Sequence, residues 1–541
     1  MRVTICEKRH KPTLFWQKSD ALSGNWSNFV LTKGEKPMSI TSIIRPLFAR
    51  RIKAAEQYPS NSDELQRTVL RRLLSMARNT ETGRRYRFDT IDGYYDYSSR
   101  VPVVEYEAIR DDVMRMVRGE ANVLWPGVTR HYAQSSGTSG GRSKYIPITS
   151  ESFKWCHYQG GFDVVAHYLH LNPDSRMFDG RSFILGGSFA NELTLPRGVR
   201  VGDLSANLID GINPLANLVR VPSKRVALMS DWSRKLPALV EASKQCNITN
   251  ISGVPSWFLT VLKEVIKARG ANNIHEVWPN LEVFFHGGIS FAPYRSEYAA
   301  ICDPSRMHYL ETYNASEGFF ALQSSWDTTA MLLLPDVGVF YEFQPIDNPD
   351  ARPVPIWEVQ QGRTYSLIIS ACNGLWRYAI GDTVTIESTA PVKIRIAGRT
   401  KHYINAFGEE LMVHNADAAI EKASAATGMS ILNYTAAPVF TSGTTKGHHQ
   451  WLVEFAVEPD DAALQRFAKE LDRCVRAENS DYDAKRTSDI FLAPLEVVAA
   501  RHGLFDDWLL ATSGRLGGQK KIPRLQNDRK IIEQMLTMNK G

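Results

Sequence analysis

Apolar residues recur at helical spacing from Ser62 to Arg78 in "SDELQRTVLRRLLSMAR", predicting an amphipathic helix capped by Asn61 or Ser62. "IPITSESFKWCHYQGGFDVVAHYLHL" predicts a short strand, a cap at Thr149 or Ser150, and a helix with Trp155, Tyr158 or Gln159, and Phe162 along one face. Short apolar runs then alternate with helical patterns: "SFILGG", "NISGV" before a helix from Pro255 to Ala268, "LEVFFHGG" and "MHYLETYNASEG". This βα alternation predicts a largely parallel, buried sheet. "VGVFYEF", "TYSLIIS" and "DTVTIES" follow at close spacing and predict an antiparallel or barrel-like portion. Beyond Pro391 the pattern changes. The charged turn "AGRTKHY" places a domain boundary near Gly398 to Lys401, ahead of a hairpin formed by "NYTAAPVF" and "HHQWLVEFAVE".

A length of 541 residues allows three or four folding units, and 43% hydrophobic with 23% charged residues is ordinary globular usage. The six cysteines lie far apart with no CxxC pair, which leaves zinc ribbons and redox motifs unsupported. No apolar run approaches the length of a membrane span, so the expectation is a cytoplasmic protein with no membrane partner. Residues 1–60 hold eleven Lys or Arg against four Asp or Glu, more than the whole net charge of +6. The rest of the chain is near neutral, whereas a nucleic-acid enzyme carries basic charge along a groove in its body, so no nucleic-acid partner is expected. Residues 1–37 are expected to be a basic, poorly ordered extension, with the folded body starting at Met38.

"SSGTSGGRSK" offers backbone N–H groups, hydroxyls and a lysine after a strand ending near Ala133, and suits either a phosphate cradle or a plain surface loop. It is not a Walker A loop, because Arg142 occupies the place of the second glycine and Lys144 follows a serine. The similar "TSGTTKG" sits between the two strands of the late hairpin and most simply makes its turn. Further along, Tyr313 could stack on a base, Glu317 could hold Mg²⁺, and Asp382 offers two acceptors suited to ribose hydroxyls. Arg399 and Lys521 add positive charge, Lys521 in the glycine-flanked "GGQKKIPRL". Each alone has a bland reading: a turn cap for Asp382, a surface carboxylate for Glu317, a solvated lysine for Lys521. Their order along the chain carries the chemistry.

Read in sequence, SSGTSGGRSK, YNASEG, YAIGD, GRTK and KIPR resemble the nucleotide motifs, hinge and C-terminal lysine segment of the acyl acid amido synthetases. These are the auxin-conjugating Gretchen Hagen family of the adenylate-forming superfamily. The resemblance runs from about residue 60 to 530 and includes "ARNTETGRRYRF", "VPVVEYEAI", "GEANVLWPG" and "NISGVPSWFL". It implies an α/β adenylate-forming fold: a large N-terminal lobe with parallel sheets and a barrel-like β portion over residues 38–397, a hinge at 398–401, and a small mobile α+β lid from 402 to 541. It implies ATP and Mg²⁺ as cofactors, and as substrates a carboxylic acid and an amine, an amino acid by this likeness. The acid would become an acyl-adenylate and then an amide. An acyl-CoA ligase or adenylate-only enzyme is the alternative, and a nucleotide sensor a more distant one.

By the same resemblance Ser135, Ser136, Gly137, Thr138 and Lys144 would hold the ATP phosphates, Tyr313 would face the adenine with Ser316 nearby, and Glu317 would hold the magnesium. Asp382 with Arg399 would bind the ribose, Lys401 would be the hinge, and Lys521 would reach the reacting carboxylate and α-phosphate. The acyl pocket is expected among Tyr158, Phe162, Val254, Trp257, Ile289 and Phe291, with His131 and His286 as polar neighbours without a catalytic role. YNASE has Ala315 where the family often carries a hydroxyl. YAIGD has Ala379 where the family carries arginine, leaving the role of the nearby Arg377 open.

Overall fold

Among the described residues, twenty strands carry the architecture. In chain order they are β1 (His131–Ser135), β2 (Lys144–Ile148), β3 (Arg181–Ile184), β4 (Arg200–Gly202), β5 (Arg220–Val221), β6 (Ile248–Gly253), β7 (Val283–Gly287), β8 (His308–Ala315), β9 (Gly318–Gln323) and β10 (Met331–Leu333). Then come β11 (Val339–Pro345), β12 (Val354–Pro355), β13 (Thr364–Ala371), β14 (Tyr378–Thr389), β15 (Val392–Arg399), β16 (Tyr403–Ile404), β17 (Leu411–Met412), β18 (Ile431–Val439), β19 (His448–Phe455) and β20 (Glu496–Ala500). This computed structural model describes residues 39–540 except 136–143, 192, 289–290, 292–293, 400–402, 405–410, 440–446, 480–481, 484–485, 487–491, 514–521 and 527. Residues Ile40–Gly541 fall in one compact unit.

The principal sheet has twelve strands in the order β12-β11-β13-β14-β15-β10-β9-β8-β7-β6-β3-β5. From β5 to β8 neighbouring strands run parallel, and helices such as Pro255–Arg269 connect them. From β8 to β12 every pairing is antiparallel. The change of pattern expected from the spacing of apolar runs is therefore real, and both halves belong to one sheet. Burial explains the sequence: Leu367, Ile369, Val384, Ile386 and Ile394 are all fully enclosed, as apolar runs of a covered sheet require.

The helix expected from Ser62 begins four residues earlier, at Tyr58, and ends at Ala77. Pro59 stands in its first turn, where the missing N–H costs nothing. Ser62 is inside the helix, its hydroxyl donating to the Tyr58 carbonyl at 2.6 Å, so neither it nor Asn61 is the cap. Thr149 does cap the later helix: its Oγ1 accepts from the Ser152 N–H at 3.0 Å. That helix opens with a π-turn over Ser152–His157, closed by the Tyr158 N–H onto the Phe153 carbonyl, before continuing to Leu171.

The hydrophobic packing falls into separate clusters along the chain. Two hydrophobic clusters are built from residues before β16, and two others from Ile404 onward, around β18, β19 and β20 and their covering helices. The C-terminal part touches the body near the boundary, where the His414 ring nitrogen Nδ1 lies 2.6 Å from the Ala397 carbonyl.

Behind β14 lies a buried ion pair. The Arg377 guanidinium meets the Glu342 carboxylate at 2.8 Å and also donates to the Ser98 and Val101 carbonyls at 2.8 and 2.7 Å. The pair is almost wholly enclosed, at 6% and 0% side-chain exposure, and Arg377 holds a left-handed backbone with φ of 44°. Removing one member leaves the other charge buried without its partner. Glu342→Ala is expected to cost about 3–5 kcal/mol in urea unfolding; a cost below about 1 kcal/mol, the size of an exposed pair, would contradict the pillar role.

Candidate active site

Tyr313 and Asp382, sixty-nine residues apart, meet through a 2.6 Å hydrogen bond from the tyrosine hydroxyl to the carboxylate. Three strands (β15, β10 and β9) separate β14 from β8 in the sheet. Four inter-strand steps of about 4.8 Å would hold the two strands about 19 Å apart in a flat sheet, beyond the reach of these side chains. The sheet therefore curls between β8 and β14, and the curl brings the two residues together. Each stands at a break in register, between Tyr313 and Asn314 on β8 and opposite Ser366 to Ile368 on β14. Gly381, at φ of 90°, supplies the second break in a conformation that other residues rarely adopt.

The β8–β9 turn carries Ser316 and Glu317, both buried, and Asn373 donates to the Glu317 carbonyl at 3.0 Å. Next to Asn373, the Cys372 carbonyl accepts from the Thr149 hydroxyl at 2.6 Å, which ties in the end of β2. From the helix after β2, Cys156 Sγ accepts from the Phe319 N–H at 3.1 Å, and His157 Nδ1 lies 3.3 Å from the Asn314 side-chain oxygen. The β1–β2 pair is thus pinned beside the YNASEG turn. Burial depresses His157 to about 4 and His286 to about 3, so both rings are neutral at physiological pH.

Of the expected residues, Ser135 and Lys144 are cross-strand partners on antiparallel β1 and β2. Ser136, Gly137 and Thr138 lie outside the described residues, as do Ile289, Lys401 and Lys521. Asp382 pairs in register with Arg399. The Tyr313 ring is held edge-on against Phe320, at 4.9 Å between centroids. The pocket candidates divide. Phe162 stacks on Phe48 at 4.3 Å, and the Tyr158 hydroxyl donates to the Leu208 carbonyl at 2.9 Å. Val254 follows β6 and Phe291 follows β7, at the C-terminal ends of neighbouring parallel strands, and Trp257 packs with the Phe291 cluster. His131 Nδ1 lies 3.2 Å from the Asn207 side-chain oxygen. Arg377, left open by the sequence, faces Glu342 and not Asp382.

Among the described residues no group of three or more His, Cys, Asp or Glu could hold a metal by itself. A single carboxylate such as Glu317 fits a cation like Mg²⁺, which is commonly held by one or two carboxylates together with substrate phosphates.

This architecture defines an adenylate-forming fold. It is similar to the solved acyl acid amido synthetase AtGH3.15 in complex with 2,4-DB, with a TM-score of 0.75 at 18% identity over 94% of this chain and 98% of that one. A 2-hydroxyisobutyryl-CoA ligase in the postadenylation state, in complex with 2-HIB-AMP, gives 0.55 at 14% identity over 93% of each chain. The GH3 family N-terminal domain matches residues 51–236, the central domain 331–399 and the C-terminal domain 414–530. The chain belongs to the GH3 family, and the resemblance expected from its motif order is borne out. Among relatives, the probable indole-3-acetic acid-amido synthetase GH3.1 of Arabidopsis thaliana is 22% identical over 90% of this chain and 92% of that protein. Indole-3-acetic acid-amido synthetase GH3.3 of the same plant is 20% identical over 88% and 92%.

Sequence reasoning missed Glu311, two residues before Tyr313 on β8 and in register with His286 on β7. The signal was present as the one acidic residue of the strand, between Leu310 and Thr312. The half-buried carboxyl group has no hydrogen-bond partner among the described residues, and burial pushes it from 4.5 to about 7 against the opposing pull of Arg295. The folded state holds this proton more tightly than the unfolded state. The resulting stability is fully present below about pH 4.5 and is lost as pH rises through about 7. Glu311→Gln is accordingly expected to exceed wild type by about 3 kcal/mol at pH 8 and to match it near pH 4. Parallel stability curves from denaturant unfolding across that range would contradict the assignment.

Proposed function

We propose that this chain is an ATP-dependent ligase that converts a carboxylic acid to an acyl-adenylate and passes the acyl group to an amine, an amino acid, forming an amide in the cytoplasm. The observation that carries the reading is the meeting of Tyr313 and Asp382, with Arg399 in register and the β1–β2 pair pinned alongside. Membership of the GH3 family supports it, as do relatives named as amido synthetases.

In the first half-reaction a carboxylate oxygen attacks the α-phosphorus of ATP and the bond to pyrophosphate breaks. In the second an amine nitrogen attacks the acyl carbon, AMP leaves and the nitrogen loses a proton. Ser135, Ser136, Gly137, Thr138 and Lys144 bind the phosphates, and Tyr313 and Ser316 border the adenine. Asp382 accepts from the ribose hydroxyls beside Arg399. Glu317 would hold Mg²⁺, which would supply charge neutralisation at the reacting phosphate. Lys521 places its cation at the carboxylate and α-phosphate, stabilising charge that develops in the transition state. Val254, Trp257, Ile289 and Phe291 form one wall of the acyl pocket, with Tyr158 and Phe162 as its outlying members. The adenylate is hydrolysable, so excluding water from it is part of the work. The part after residue 401 serves as the lid, turning at 398–401 with Lys401 as the pivot.

Pyrophosphate release measured across aryl and aliphatic acids, then with amino acids or CoA added, tests the reading. Acid-dependent release and an amide product by mass spectrometry are expected. A thioester product would instead make the chain an acyl-CoA ligase, and no release with any acid would leave a nucleotide sensor. Lys521→Ala is expected to slow adenylation by roughly 10²–10³, about 3–4 kcal/mol; undiminished pyrophosphate exchange would remove Lys521 from the chemistry.

A further inference from the structure

Arg524 stands three residues after Lys521 in "KIPR". The segment it opens is built into the C-terminal sheet. The Ala436 N–H donates to the Arg524 carbonyl at 2.8 Å, the Gln526 N–H to the Ala436 carbonyl at 3.0 Å, and the Thr435 hydroxyl to the Pro523 carbonyl at 2.6 Å. Leu525 bridges Ala436 in parallel, so residues 523–526 form a short extra edge on β18.

The Arg524 side chain leaves that edge in two directions. Its guanidinium lies over the Tyr434 ring at 4.5 Å, and the Tyr434 hydroxyl donates to the buried Asp417 carboxylate at 2.6 Å. These partners belong to the C-terminal part and move with Arg524. Its Nη1 also donates to the Tyr434 carbonyl at 3.4 Å, while another contact crosses to the body: Arg524 Nη2 lies 3.5 Å from the Tyr294 hydroxyl. Tyr294 is 4% exposed, anchored in the Phe284 and Phe291 cluster just past β7, and its hydroxyl has no other partner among the described residues. A buried tyrosine hydroxyl requires a partner, and here the C-terminal part provides it. The contact is long for a hydrogen bond and uses Nη2, while the guanidinium's other contacts, to the Tyr434 ring and carbonyl, stay within the C-terminal part.

We infer that Arg524 is a positioning residue that registers the C-terminal part on the body for adenylation: it rides with Tyr434 and Asp417 and docks on Tyr294, and its release from Tyr294 accompanies the turn to amide transfer. The inference rests on the ligase reading. Arg524 is three residues along the chain from Lys521, a span of at most about 11 Å, so docking the one limits the reach of the other. The His414–Ala397 contact at the boundary gives a near tether and Arg524–Tyr294 a far one. Two separated points fix an orientation that a hinge alone leaves free.

Tyr294→Phe removes the docking hydroxyl and keeps the ring in its cluster. Acid-dependent pyrophosphate exchange is expected to fall roughly tenfold, the scale of a sub-ångström misplacement of a catalytic group. The KM for ATP, the melting temperature and amide formation from a chemically prepared acyl-adenylate are expected to stay at wild-type values. Equal loss in both half-reactions together with a lowered melting temperature would reduce the contact to a structural one, and unchanged exchange would overturn the inference. A second readout needs no turnover. Spin labels at Val457→Cys and Tyr95→Cys, both exposed, with Cys6 and Cys246 replaced by serine, report the distance between the two parts. Tyr294→Phe is expected to broaden that distribution. An unchanged distribution overturns the inference even if the wild type activates no acid, a failure that would otherwise fall on the ligase reading alone.

Discussion

The hydrogen bond from Tyr313 to Asp382 is the constraint on which the site depends. It closes only because a twelve-stranded sheet curls enough between β8 and β14 to bring these two strands within side-chain reach. The curl has local causes. Breaks in register at Tyr313 and around Gly381 bend the two strands where the two residues point inward. Arg377 and Glu342 brace β14 from behind with a charge pair sealed from water. A side chain near the nucleotide motif thus serves the frame, and a glycine serves the aim of its neighbour.

Around this closure the other elements are held by contacts that span long stretches of chain. Thr149 on Cys372, Asn373 on Glu317, Cys156 on Phe319 and His157 on Asn314 fasten the β1–β2 pair to the β8–β9 turn. These are backbone and buried polar groups paired within the fold itself, so the site is largely shaped before any ligand arrives. The C-terminal part is different in kind. It has its own hydrophobic clusters, and among the described residues its directional contacts with the body include His414 on Ala397 and Arg524 on Tyr294.

Much of this was legible in the sequence because the signals were local. Apolar runs marked β3, β6, β7 and β8, the close spacing of β11, β13 and β14 marked the antiparallel half, and the order of the polar motifs pointed to the family. What stayed hidden was set by distance along the chain. Nothing near Arg377 announces Glu342, and nothing near Tyr313 announces the sheet curl that delivers Asp382. The two Gly/Ser/Thr stretches make the same point. The strands flanking "TSGTTKG" are antiparallel, with Val439 opposite His448. The strands flanking "SSGTSGGRSK" are antiparallel as well, with Ser135 opposite Lys144. The pattern and the antiparallel flanking strands are alike in the two; the neighbours of those strands differ. Among the described residues it is the β1–β2 pair that is fastened beside a buried carboxylate, a tyrosine and an aspartate drawn from distant strands.

The central claim is that the curled sheet assembles a site that makes an acyl-adenylate. Mass spectrometry of the enzyme's small-molecule extract, after incubation with ATP, Mg²⁺ and a panel of carboxylic acids but no amine, tests it most directly. The account predicts an acyl-AMP at the mass of one acid in the panel, which disappears on addition of an amino acid as the amide appears. An extract holding ATP and acids alone, with no acyl-AMP for any of them, would contradict it.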